Sequence, residues 1–199
     1  DTQYEITFAV DSAAYKGVVK MTVTPGARTV VHVESGYTMK RDVPAAEVNT
    51  GFIAFASMFG VHPASNTPVH DNDTVVVVYG DGTKEGVRLV NPPNRVSQVL
   101  KKDGTSVKAF GLEQRDRNPA SYTDKGPRYH DRSSYVVIID SSSVPFNLRV
   151  NIDPSQADSA DNVYPVLVPQ GDLKSGQVVR LVYDVIANRE GLSEPNILA

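Results

Sequence analysis

Apolar and polar residues alternate along most of this chain with a period of two. Tyr4-Glu5-Ile6-Thr7-Phe8-Ala9-Val10 sends its large apolar side chains to one face for seven residues, the signature of a half-buried strand. Val18 to Val23 reads as a second strand, closed by Pro25-Gly26. Thr29 to Glu34 forms a third, and Tyr37-Thr38-Met39 a short separate one beyond Ser35-Gly36. Val75-Val76-Val77-Val78-Tyr79 is continuously apolar and β-branched. Asp81-Gly82 follows it, then Gly86 to Val90, which predicts a hairpin because both turn positions adopt positive φ cheaply. Val96 to Leu100 and Val107 to Phe110 suggest another hairpin hinged at Asp103-Gly104, with a helical turn after Pro92-Pro93 as the alternative. Tyr135 to Ile139, Phe146 to Ile152 and Val178 to Ile186 complete the clear strands. Val163 to Val168 reads as an edge or interrupted strand, since Pro165 has no N–H to give a ladder.

Helix is scarce. Pro44 to Phe59 is the one segment with helical character: Pro44 suits a first helical position, and Phe52, Phe55 and Phe59 recur at helical spacing despite Gly51. Nine or ten strands, frequent turns and one short helix predict an all-β sandwich, immunoglobulin-like or jelly-roll, over a single domain 1–199. Strands do not alternate with helices, which disfavours a parallel α/β sheet.

Composition narrows the class. The chain has 199 residues, 40% hydrophobic and 22% charged, which suits a packed globular domain. Its net charge of −3 argues against a general nucleic-acid binder. No apolar run reaches membrane-spanning length. Cysteine is absent, which excludes disulfides, thiolate metal sites and cysteine nucleophiles. The first residue is Asp1, read as the product of signal-peptide removal and hence of export.

Candidate chemistry is sparse. His32 alternates with Val31 and Val33 and is expected to face solvent or a neighbouring strand. His62 and His70 precede Asp71-Asn72-Asp73, whose D-x-D spacing occurs in calcium loops, but the further EF-hand ligands are missing. Asp153, Asp158 and Asp161 form another acidic stretch, read as solvated surface. Ser141-Ser142-Ser143 follows Asp140 without a histidine in recognisable relation, and there is no G-x-S-x-G elbow, P-loop or dinucleotide fingerprint. No catalytic residue, metal or cofactor is therefore expected, and the chain reads as a non-enzyme. The irregular stretch from Arg115 to Ser134 interleaves Arg115, Arg117, Lys125, Arg128 and Arg132 with Tyr122, Tyr129 and His130. Its arginines and tyrosines have the composition of a contact surface.

The termini carry the sharpest expectation. Tyr4, Ile6, Phe8 and Val10 form an apolar row that could pair within the domain or insert into a neighbour by strand addition. This first strand resembles the donor strand of chaperone–usher pilins. Ser175-Gly176-Gln177-Val178-Val179-Arg180-Leu181-Val182-Tyr183 is similar to the last strand of those subunits, and the lack of cysteine is closest to the class 5, or alpha-type, fimbrial subunits. The resemblance implies an incomplete immunoglobulin-like fold, assembly with a periplasmic chaperone, and donor-strand exchange between copies. The expectation is thus a structural subunit of an extracellular or cell-surface pilus, with exchangeable segments at 1–12 and 188–199. A viral jelly-roll coat protein and a carbohydrate-binding or carbohydrate-active β-sandwich are the alternatives, the last using Tyr122 and Tyr129 as platforms.

Overall fold

The fold is taken from a computed structural model, which describes residues 3–26, 28–45, 53–54, 74–88, 96–113, 134–153, 162–188, 192 and 196–198. The described residues form twelve strands: β1 (Tyr4–Asp11), β2 (Tyr15–Thr24), β3 (Thr29–Met39), β4 (Ile53–Ala54), β5 (Thr74–Tyr79), β6 (Lys84–Arg88), β7 (Val96–Leu100), β8 (Val107–Glu113), β9 (Ser134–Ser142), β10 (Phe146–Asp153), β11 (Asn162–Pro169) and β12 (Val178–Asn188). They build two antiparallel sheets. The larger has the order β1-β2-β3-β12-β9-β8-β5-β6, and the smaller β4-β11-β10-β7. The expected all-β sandwich is therefore the observed architecture.

The smaller sheet lies on the middle of the larger one. Phe146, Leu148 and Val150 alternate inward along β10 and join one core with Phe110, Val137, Val75, Val77, Leu181 and Tyr183 of the larger sheet. A second, smaller cluster sits on the opposite face of the larger sheet. There Val136 and Ile186 are covered by Ile197, with Leu192 packed alongside.

Several sequence expectations are corrected. Ser35-Gly36 does not interrupt β3: the Ser35 hydroxyl turns inward and donates to the Leu181 carbonyl oxygen at 3.1 Å, so the buried polar group is satisfied. β7 and β8 are strands, but they form no hairpin. Gly104, at φ 76°, carries the chain from the smaller sheet to the larger, so β7 pairs with β10 while β8 pairs with β5 and β9. Ile53–Ala54 is a short strand paired with Val166 and Leu167, so a helix does not run through Pro44–Phe59. Pro165 lies one residue before that contact, where β11 has only β10 as a described neighbour.

Two local devices hold the larger sheet in register. On β2, Gly17 lies against β3 so closely that a Cβ there would stand 2.3 Å from the Gly36 carbonyl oxygen and 2.7 Å from Tyr37 Cδ1. The Tyr37 ring can lie over β2 only because that Cβ is missing, and it meets Tyr15 edge-on at 5.3 Å. At the β5–β6 turn, Gly82 takes φ 82°, and Asp81 accepts bonds from Thr83 Oγ1 at 2.7 Å and Thr83 N at 3.0 Å. Lys102 also reaches the Asp81 carboxylate; its bond and those from Thr83 hold the carboxyl down at about 2.

Two outcomes follow. Gly17→Ala should cost about 1–3 kcal/mol through forced strand separation. Gly36→Ala, with nothing within 4 Å of the added carbon, should be neutral or slightly stabilising in the same urea titration. The Asp81 carboxylate favours the folded state above its unfolded pKa of about 3.9, and that contribution is lost as pH falls toward about 2. Asp81→Asn should therefore flatten the fall of Tm across that acid window and leave its slope between pH 6 and 8 unchanged.

Candidate functional site

Two features stand out from a regular sandwich, and both arise where the sheets depart from even coverage. The first is a groove at the end of β8 and β9. Ala109 pairs with Ile138, but beyond that pair both strands are irregular. On β8, Val78 faces Ala109 while Tyr79 faces Val107, which leaves Lys108 as an extra residue. On β9, Tyr183 faces Ile139 while Val182 faces Ser141, which leaves Asp140 as an extra residue. Each is a β-bulge, a device that re-aims a side chain and ends regular pairing. Lys108 lies one residue past that cross-strand pair and Asp140 two, and together they open one shallow groove of about 320 Å³.

Lys108, Asp140, Ser106 and Ser141–Ser143 supply its polar lining, and Val144 and Pro145 its apolar patches, with Val107 buried beneath. Its rim is braced from within. Lys108 Nζ donates to the Ile139 carbonyl oxygen at 2.8 Å. Ser106 Oγ accepts the Phe146 N–H at 2.9 Å, and Ser143 Oγ accepts the Arg180 N–H at 2.8 Å. Ser142 Oγ donates to the Val144 carbonyl oxygen at 2.5 Å. The serine run is thus a structural turn, and the groove offers one cationic donor and one anionic acceptor over an apolar floor. The sequence marks Asp140 and Ser141–Ser143 as a strand end; it carries no signal for the bulges.

The second feature is the inner face of β1. Ile6, Met21, Val33, Tyr183 and Ile139 are in register across β1, β2, β3, β12 and β9. Along that row exposure climbs from 1% at Val33 to 54% at Ile6, and Phe8 and Tyr4 beside it stand at 42% and 58%. Val10 alone of the four predicted residues packs onto the core. The smaller sheet stops short of this edge, so a core-like face is left uncovered.

The other predicted residues divide simply. His32 sits on the outer face, its Nδ1 2.7 Å from Asp184 Oδ1, in a ladder of charges with Glu34 and the Lys20–Glu5 pair at 2.9 Å. The contact stretch with Arg115, Arg117, Tyr122, Arg128 and Tyr129 lies outside the described residues, as do His62, His70, His130, Asp71, Asp73, Asp158 and Asp161. Among the described residues no group of three His, Asp or Glu is placed to hold a metal, and no helix is long and apolar enough to cross a membrane.

Comparison with known proteins corrects the functional expectation. The family model described as periplasmic glucan biosynthesis protein, MdoG, matches residues 1–198. The glucans biosynthesis protein G 2 of Shewanella oneidensis is 29% identical over 196 residues, covering 94% of this chain and 36% of that protein. The glucans biosynthesis protein G of Cereibacter sphaeroides is 26% identical over 198 residues, 96% of this chain and 36% of its own length. The chain thus spans about a third of the length of these curated relatives. The fimbrial resemblance, the pilus-subunit function and the extracellular fibre location are overturned by this match, and the coat-protein alternative goes with them. The physical reason is in the topology. β1 pairs along all eight residues with its own β2, and β12 lies inside the sheet between β3 and β9 rather than at an edge awaiting a donor. Alternating strands are too common a pattern to identify a pilin. The chain belongs to the MdoG family of periplasmic glucan biosynthesis proteins.

Proposed function

We propose that this chain is a glucan-binding β-sandwich acting in the periplasm, and that the groove between the β8 and β9 bulges holds the glucan. The observation that carries the reading is the presence of Lys108 and Asp140 as extra residues on adjacent strands, within two residues of one cross-strand pair. A neutral polyol needs both a donor and an acceptor, since each hydroxyl can give and take a hydrogen bond. It also needs an apolar surface for the C–H face of the sugar ring, which Val144 and Pro145 supply. Family membership provides the ligand class. The role is binding: Lys108 and Asp140 orient the chain, and no glycosidic bond is made or broken by them.

Calorimetric titration with linear glucose oligosaccharides of different linkage tests this. At least one linkage should bind, and Lys108→Ala and Asp140→Ala should each weaken it about tenfold or more, near 1.4 kcal/mol. Lys16→Ala, on the remote β1–β2 hairpin, should leave affinity unchanged. Equal affinity in all three variants would reject the groove, and release of new reducing ends by the protein would reject a purely binding role.

A further inference from the structure

We propose that Gly111 is a docking notch for Leu192, and that Leu192 and Ile197 anchor a strap that opens apart from the core, covering or baring the outer face of the larger sheet. The inference does not rest on the glucan groove.

One row of the sheet carries it. Val76, Gly111, Val136, Ile186 and Val30 stand in register across β5, β8, β9, β12 and β3. They point away from the smaller sheet, since their chain neighbours Val75, Val77, Phe110 and Val137 belong to the main core. A branched apolar side chain stands at every one of these five places except Gly111. The gap between Val76 and Val136 is occupied by Leu192, whose Cγ lies 3.1 Å from where a Gly111 Cβ would stand. Val136 Cγ2 and the Tyr135 carbonyl oxygen close the other sides at 3.2 and 3.3 Å. A glycine inside a strand marks such a place, where another part of the chain comes close. Ile197 is the second anchor. It is 6% exposed and packs with Val136 and Ile186, while Asn196 and Leu198 on either side of it are exposed. Asn196 takes φ 59°, a turn that asparagine accepts.

The smallness of this cover sets its behaviour. The outer cluster holds three buried residues among those described, Val136, Ile186 and Ile197, and the thickness of the sheet separates it from the main core. Two side-chain anchors offset the entropy of ordering the segment that carries them by a narrow margin. The strap therefore belongs to the low-stability end of the molecule and opens locally while β9 and β12 stay paired. Opening bares Val136 and Ile186, and with them Ile138, which packs on the same cluster and pairs with Ala109 beside the bulges.

The chain has no cysteine, so one introduced thiol reports exposure without background. Val136 and Val137 are adjacent on β9, both fully buried, and face opposite sides of the sheet. Val136→Cys, under the strap, should react with an aromatic disulfide reagent at least about 100-fold faster than Val137→Cys. Its rate should be nearly flat at low urea, whereas that of Val137→Cys, reached only by global unfolding, should climb steeply. Leu192→Ala and Gly111→Ala should each speed the labelling of Val136→Cys roughly tenfold, and Gly111→Ala should add nothing once residue 192 is alanine. Equal labelling of the two thiols with one urea dependence overturns the strap. Full additivity of the two substitutions overturns the notch. Should Gly111→Ala fail to fold, Leu192→Ala alone decides: an unchanged rate at Val136→Cys overturns the proposal.

Discussion

The packing of a narrow sheet onto the middle of a wide one governs the rest of this structure. Phe146, Leu148 and Val150 of β10 press onto Phe110, Val137 and Leu181, and every one of these side chains is fully buried. Burying side chains of this size contributes about 1.5–3 kcal/mol each before entropy is counted, so the chain's stability is concentrated there. Moving outward from that contact, burial falls away along each cross-strand row. The bulged groove lies beside the contact and the bare face lies beyond it. Four strands cannot cover eight, and the two notable surfaces are what that mismatch leaves.

The opposite side of the larger sheet has a different solution. Over β9 and β12 it is closed by Ile197, with Leu192 packed alongside and sitting 3.1 Å from where a Gly111 Cβ would be. Over β1–β3 it is open and polar, with Glu5, Lys20, Glu34, His32 and Asp184 in a ladder. Exposed pairs of this kind contribute little to stability. Their effect is to tell the two faces of β1–β3 apart, since a one-residue slip would bring these charges to the apolar side.

Strand positions were legible in the sequence because period-two alternation is a local property: β1, β5, β9 and β10 stand where Tyr4–Val10, Val75–Tyr79, Tyr135–Ile139 and Phe146–Ile152 place them. Pairing was less legible. Asp103-Gly104 looks like a hairpin turn, and a positive-φ glycine does sit there, but the same local conformation serves a crossing between sheets. The groove was invisible for a related reason. A bulge is defined by the partner strand's register, and nothing in Val107-Lys108-Ala109 or Ile139-Asp140-Ser141 alone shows which residue lacks an opposite number. The row of Tyr4, Ile6 and Phe8 could be read as apolar, but its exposure depends on packing against strands distant in the sequence, which alternation alone does not show.

The paired bulges constrain how this part of the chain can change. Deleting Lys108 alone would restore even pairing with β5 on both sides of the cut and so remove the bulge that opens the groove. Asp140 stands under the same constraint against β12. Loss of either residue therefore closes the groove, while substitution keeps the bulges and changes what the groove presents. Lineages that share this architecture are expected to keep the length of both strands fixed here, and those that hold the same ligand to keep a hydrogen-bond donor and an acceptor at the two surplus positions.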